Sequence, residues 1–158
     1  MIIGRFGDTS GRPYVEGRIY IPRLGLSGDL SFLMDTGADS SILMPGDAKR
    51  IGVPFDKLVG DNVCFGLGGE THCFQEPAFV AFGEHKLALY LYSLTLDIYP
   101  PNDPQMDDCP SLLGRDVLKR WQIDCDFVHK RLRFTVHSAD LTFPVKPPEQ
   151  LTIADQNT

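Results

Sequence analysis

The feature that most constrains the fold is the way the apolar residues are parcelled along the chain. They come in short runs, at Tyr14 to Ile21, Leu30 to Met34, Ser41 to Met44, Val63 to Phe65, Ala78 to Phe82 and Leu87 to Leu96, separated by Gly, Pro and Asp. Runs of this length, rich in β-branched and aromatic residues, read as strands, because a helix needs a longer stretch to build one apolar face. A mostly β chain is expected. Two segments read as short helices: Gly46 to Ile51, opened by Pro45 and closed by Gly52, and Arg115 to Trp121.

Turn chemistry adds two hairpins. From Val63 to Phe74, β-type residues flank the Gly-rich centre Gly66-Leu67-Gly68-Gly69, which can take positive φ and lets the hairpin protrude and move. A two-residue turn at Gly68-Gly69 would put Cys64 directly opposite Cys73, so that oxidation could staple the hairpin; two adjacent free thiols are the plain alternative. The second hairpin is expected from Ile123 to Val136, with Val128-His129-Lys130-Arg131 near its turn. Tyr99 to Pro110 has no apolar period and reads as a long loop. The chain shows no internal repeat. Residues 1–143 are expected to form one domain with a motif core at 14–136, and 144–158, with Pro147-Pro148 and a polar end, a flexible tail.

Length and charge exclude several function classes. A chain of 158 residues suits one domain with a real core, and a net charge of -6 with scattered Lys and Arg leaves no basic surface for phosphates, so no nucleic-acid partner is expected. No apolar run approaches the roughly 20 residues that span a bilayer. A cytoplasmic protein with no membrane partner is therefore expected. Cys64, Cys73, Cys109 and Cys125 lack CxxC spacing, and His72, His85, His129 and His137 lack metal-ligand spacing, so reduced thiols, no metal and no cofactor are expected. Asp103 to Asp108 has no EF-hand spacing and reads as a solvated loop.

The chemistry concentrates where an apolar strand, Phe32-Leu33-Met34, runs straight into Asp35-Thr36-Gly37-Ala38. A carboxylate at that position needs stabilising partners. Gly37 lets main-chain N–H groups approach it, Thr36 offers a hydroxyl to a neighbouring element, and Ala38 leaves space beside the acid. A turn or N-cap aspartate is the usual fate of Asp before Thr-Gly and stands as the alternative. The glycines at 66, 68 and 69 could also be read as a phosphate loop, but Glu70 follows where Lys-Ser/Thr is needed.

A second element, Leu112-Leu113-Gly114-Arg115-Asp116-Val117-Leu118, makes the pattern specific. Asp-Thr-Gly-Ala-Asp after an apolar strand, then a Gly-rich flap, then two apolar residues before Gly-Arg-Asp, resembles the retropepsins, single-domain aspartic proteases of retroviral type, over roughly Tyr14 to Val136. The resemblance implies an all-β closed barrel with a flap hairpin and one short C-terminal helix, acting as a symmetric homodimer on peptide or protein substrates. It implies Asp35, Thr36 and Gly37 as the catalytic set, with Thr36 bracing the two active-site loops across the dimer. Ala38, Asp39, Phe65, Gly66, Leu67, Gly68 and Gly69 would contact substrate. Asp39, Leu113, Gly114, Arg115 and Asp116 would support the loop, with Arg115 held as a bidentate fork by Asp39; two solvated surface charges are the alternative. Leu141-Thr142-Phe143 is the expected added strand near the dimer interface. Two rivals stand beside this reading: a catalytically silent dimeric peptide-binding module of the same fold, and a β-rich interaction domain in which the motifs are coincidental.

Overall fold

The computed structural model describes residues 1–66 and 68–145. Its strands are β1 (Ile2–Ile3), β2 (Arg5–Phe6), β3 (Pro13–Ile21), β4 (Leu26–Met34), β5 (Ile42–Leu43), β6 (Asn62–Gly66), β7 (Gly69–Glu84), β8 (Ala88–Ile98), β9 (Leu112–Leu113), β10 (Trp121–Asp126), β11 (Arg131–Val136) and β12 (Leu141–Pro144). Its two α-helices are α1 (Pro45–Ile51) and α2 (Arg115–Leu118). Strands β8, β5, β9, β4, β3 and β7 pair in that order and close on themselves through β7 and β8, which makes a six-stranded barrel. Strands β6 and β12 are added outside the ring, and β1, β11 and β10 form a separate three-stranded sheet.

Period-two alternation aims the core. In β3, Val15, Ile19 and Ile21 are fully buried while Glu16, Arg18 and Tyr20 between them face out. Gly17 also points inward, and a Cβ there would stand 2.7 Å from the Phe82 ring, so the strand approaches the core closely at that residue. Ala78, Val80 and Phe82 of β7 and Tyr92, Leu96 and Ile98 of β8 complete the inner face. Trp121 joins the barrel to the small sheet: its ring meets Phe82 edge-on at 4.9 Å and Phe134 at 5.0 Å, and its Nε1 donates to Tyr92 Oη at 2.7 Å. Tyr92 Oη in turn donates to the Ser138 carbonyl at 3.0 Å, so both buried polar tips are satisfied.

Several expectations change in detail. Helix α1 forms where Gly46 to Ile51 read as helical and begins one residue earlier, at Pro45, and Gly52 ends it with a left-handed φ of 85°. Helix α2 stops at Leu118, because the Trp121 ring is drawn into the core as the first residue of β10. The loop between Tyr99 and Pro110 contains a 3-10 turn at Pro104–Asp108, which Asp103 caps by accepting from Gln105 N at 3.0 Å. Leu141-Thr142-Phe143 does form a strand, but β12 pairs with β8 of its own chain and runs one residue past the expected domain end, to Pro144. Residues 146–158, most of the expected tail, lie outside the described residues, as does Leu67. Among the described residues, no helix is long and apolar enough to cross a membrane.

Candidate active site

Strand β4 delivers Asp35. Its last residues pair with β9 in parallel, Leu33 beside Leu112 and Met34 beside Leu113, and the Asp35 N–H donates to the Leu113 carbonyl at 3.0 Å. The chain then turns back on itself, with Ala38 N donating to the Asp35 carbonyl at 3.2 Å. Gly37 N donates to Asp35 Oδ1 at 2.9 Å, so the main chain does supply a donor to the carboxylate. Asp35 is half-exposed, and Thr36, Gly37 and Asp39 lie at the surface with it, so the acid is presented at the surface of a single chain. Two surface grooves lie elsewhere, one along Glu16, Arg18, Tyr20, Asp29 and Leu89 and one beside His129 and Arg131.

The start of α2 holds this loop from behind. Arg115 N donates to the Ala38 carbonyl at 2.9 Å, and Arg115 Nη1 donates to the Thr36 carbonyl at 2.8 Å. Arg115 Nη2 pairs with Asp39 Oδ1. The expected bidentate fork is therefore split between the Asp39 carboxylate and a main-chain carbonyl, which ties the guanidinium to the loop backbone as well as to a side chain. Gly114 lies against the loop so closely that a Cβ would stand 2.5 Å from Ser40 C and 2.6 Å from Ser40 O.

Two buried serines that sequence reasoning missed, Ser41 and Ser111, complete the frame. Asp116 accepts from Ser41 N and Ser41 Oγ, both at 2.8 Å, and from Val117 N at 2.9 Å, while Ser41 Oγ accepts from Gly114 N at 3.1 Å. In the matching exchange, Asp47 of α1 accepts from Ser111 Oγ at 2.7 Å, and Ser111 Oγ accepts from Met44 N at 3.0 Å. Each serine precedes a two-residue strand, and each bonds the aspartate in the first turn of the helix that follows the other strand. The sequence holds that signal as Ser, two apolar residues and an Asp in the next helix turn, at 41–47 and 111–116.

The Gly-rich hairpin is formed by β6 and β7, with Gly66 paired to Gly69 and residues 67 and 68 between them. The turn therefore falls one residue earlier than a Gly68-Gly69 turn, which offsets the pairing by two: Cys64 faces Thr71, and Cys73 faces Asn62. Phe65, Gly68 and Gly69 are exposed, Phe65 at 77%. Among the described residues, no hydrogen bond joins the hairpin tip to the Asp35 loop. Its base is tied down instead: Asp97, 1% exposed, accepts from Asn62 Nδ2 and Gln75 Nε2, each at 3.1 Å, and lies 3.7 Å from Cys64 Sγ. Asp97 N donates to the Ser41 carbonyl at 3.3 Å, so the hairpin base and the frame behind Asp35 share a neighbour.

A search of solved structures finds a retropepsin-like aspartic protease from Rickettsia conorii, 21% identical, with a TM-score of 0.54 over 84% of this chain and 86% of that one. The fold is retropepsin-like. The EIAV protease in complex with the inhibitor HBY-793 also matches, at 21% identity and a TM-score of 0.46, over 72% of this chain and 90% of that one. No family model and no curated protein matches the chain. Within this retropepsin-like barrel, Asp35 and Gly114-Arg115-Asp116 lie together at the paired ends of β4 and β9, and the hairpin projects from the β7 side.

Proposed function

We propose that the chain is an aspartic endopeptidase that works as a symmetric homodimer, with Asp35 of each copy forming the catalytic pair. The observation that carries this reading is the Asp35 loop itself. Its carboxyl is accessible, its backbone is held by Leu113 and Arg115, and it belongs to a chain that has one such loop. A rigid, exposed acid at a strand end is a half-site, and a two-fold axis supplies the other half.

Two carboxyls placed within a few ångströms cannot both ionise, the standard situation of aspartic proteases, so the pair shares one proton. The ionised Asp35 takes a proton from a bound water, whose oxygen attacks the scissile carbonyl carbon, while the partner's Asp35 donates its proton to the carbonyl oxygen. The tetrahedral intermediate then collapses with transfer of a proton to the departing amine. The hairpin, with Phe65, Gly66, Gly68 and Gly69, covers the bound peptide, excludes water and offers main-chain hydrogen bonds. Thr36, exposed and without an internal hydroxyl partner among the described residues, is available to the second copy.

The experiment is to incubate wild-type and Asp35→Asn protein with a complex peptide mixture across about pH 3 to 7 and to sequence the products. Cleavage only by the wild type, with a bell-shaped pH dependence belonging to the pair, is expected. Equal products from both proteins, or none from either, would end the protease reading. Mixing in excess Asp35→Asn protein should silence wild-type activity as mixed dimers form, and sedimentation should show the dimer.

A further inference from the structure

Cys64 and Cys73 share one face of the β6–β7 hairpin as diagonal neighbours, Cys64 opposite Thr71 and Cys73 two residues further along β7. Each thiol is near enough to shift the ionisation of the other, and burial is the main reason that both sit above the ordinary thiol range. Cys64 is half-buried and reachable from solvent, while Cys73 is buried beneath it, and all four cysteines are free thiols. An accessible thiol backed by a second one is the arrangement in which a mixed disulfide can be resolved within the chain.

The observed register keeps them apart as a disulfide. Diagonal neighbours in a β-ladder have Cα atoms about 7–8 Å apart, whereas a disulfide needs about 4.4–6.8 Å. Directly opposed residues, at about 4.5–5.5 Å, meet that requirement. Among the described residues, strand β6 pairs with β7 alone. A two-residue slide of β6 along β7 would set Cys64 opposite Cys73 and move the turn to Gly68-Gly69. Because the step is even, every side chain keeps its face. The tip tolerates the change: Gly66, Gly68 and Gly69 have open space around them, and Gly69 already has a φ of 101°.

We propose that Cys64 and Cys73 are a redox pair that closes to a disulfide by this slide and fixes the hairpin in a second register. The oxidant is a small-molecule disulfide such as oxidised glutathione. The Cys64 thiolate attacks one of its sulfurs, releasing one glutathione thiol and leaving a mixed disulfide; the Cys73 thiolate then attacks the Cys64 sulfur and releases the second. Two protein thiols are oxidised, one disulfide is reduced, and the two protons lost by the cysteines end on the two glutathiones. In the new register Phe65 faces His72 in place of Glu70, and the Gln75 N–H exchanges its 3.3 Å bond to the Gly60 carbonyl for one to the Asn62 carbonyl. The effect on peptide cleavage rests on the protease reading; the disulfide does not.

The test uses the full chain carrying Cys109→Ser and Cys125→Ser, so that only this pair remains, treated with oxidised glutathione and then with reductant. Expected are an intact mass lower by two hydrogens, a cross-linked peptide joining residues 64 and 73, a new NMR contact between the Phe65 and His72 rings, and reversal of all three on reduction. Adding Cys73→Ser should arrest the reaction at a glutathione adduct on Cys64. Glutathione adducts alone, or an unchanged mass, would overturn the pair; a disulfide that leaves Phe65 beside Glu70 would overturn the slide. Cleavage is assayed on the same samples. A severalfold change on oxidation is expected, whereas a disulfide in a protein that cleaves nothing in either state would count against the protease reading alone.

Discussion

The Asp35 loop and the β6–β7 hairpin lie on one barrel and are tied to it in opposite ways. The loop is held from behind by three bonds to main-chain carbonyls, those of Leu113, Ala38 and Thr36, and by the Ser41–Asp116 exchange beneath it. Among the described residues, the hairpin projects on a single pairing, has exposed glycines at its tip, and is anchored at its base through Asn62, Gln75 and Asp97. The contrast suits a site that needs one fixed acid and one movable cover, since a misplaced carboxyl costs rate and a rigid cover would trap product.

The contrast breaks first if the loop serves only as structure. Asp35→Asn should lower peptide cleavage by about a thousandfold or more, since the homodimer loses both of its catalytic carboxyls, while thermal unfolding moves by no more than a few degrees. Loss of activity together with collapse of the fold would make Asp35 a structural residue. Next comes Gly114→Ala. The new Cβ meets main-chain atoms of Ser40 that cannot rotate away, so denaturant unfolding should show a loss of about 1–3 kcal/mol. Asp116→Ala leaves Ser41 Oγ, Ser41 N and Val117 N short of an acceptor, and a comparable loss of about 1.5–3 kcal/mol is expected. If these two variants lost no stability, the loop would not be the rigid partner in the comparison.

Much of the frame is legible in the amino-acid sequence, and the reasons are local. The strands from Tyr14 to Ile21 and Leu30 to Met34 announce themselves by period and by the turn residues that bound them, and Gly114-Arg115-Asp116 by its position after two leucines. What stays hidden depends on contacts distant in sequence. Ser41 and Ser111 bond aspartates 75 and 64 residues away, and nothing in a serine before two apolar residues names its partner. Asp97 ends the run Leu94-Thr95-Leu96, and its burial follows only from the way β6 and β7 bring Asn62, Gln75 and Cys64 to it. The hairpin register is open for another reason: glycines at 66, 68 and 69 allow two turns of equal length, and the choice is made at the base of the hairpin.

The hairpin side of the comparison predicts smaller effects. Phe65 is 77% exposed, so Phe65→Ala should change stability by less than about 0.5 kcal/mol. If the hairpin covers the substrate, the same change should raise KM severalfold with a lesser effect on kcat. A stability loss as large as that of Gly114→Ala would show that the tip is packed after all and that the two regions are held alike.

The smallest effect concerns the anchor. Burial is the first cause of the raised Cys64 pKa, and the Asp97 carboxylate adds to it by repelling the thiolate and by accepting from the thiol; Cys73 acts the other way. Removing that negative charge with Asp97→Asn should lower the Cys64 pKa, so the pH profile of its alkylation should move to lower pH and the rate in mildly alkaline buffer should rise a few-fold. The variant also weakens the tie between Asn62, Gln75 and the barrel, which would expose Cys64 by fraying. The two causes separate in the shape of the profile. Removal of the charge displaces the midpoint, whereas fraying multiplies the thiolate's limiting rate at high pH. A displaced midpoint with unchanged limiting rate would place Asp97 as an electrostatic brake on a well-anchored base. A raised limiting rate with an unmoved midpoint would show that the base is as mobile as the tip, and the hairpin would then be loose along its whole length.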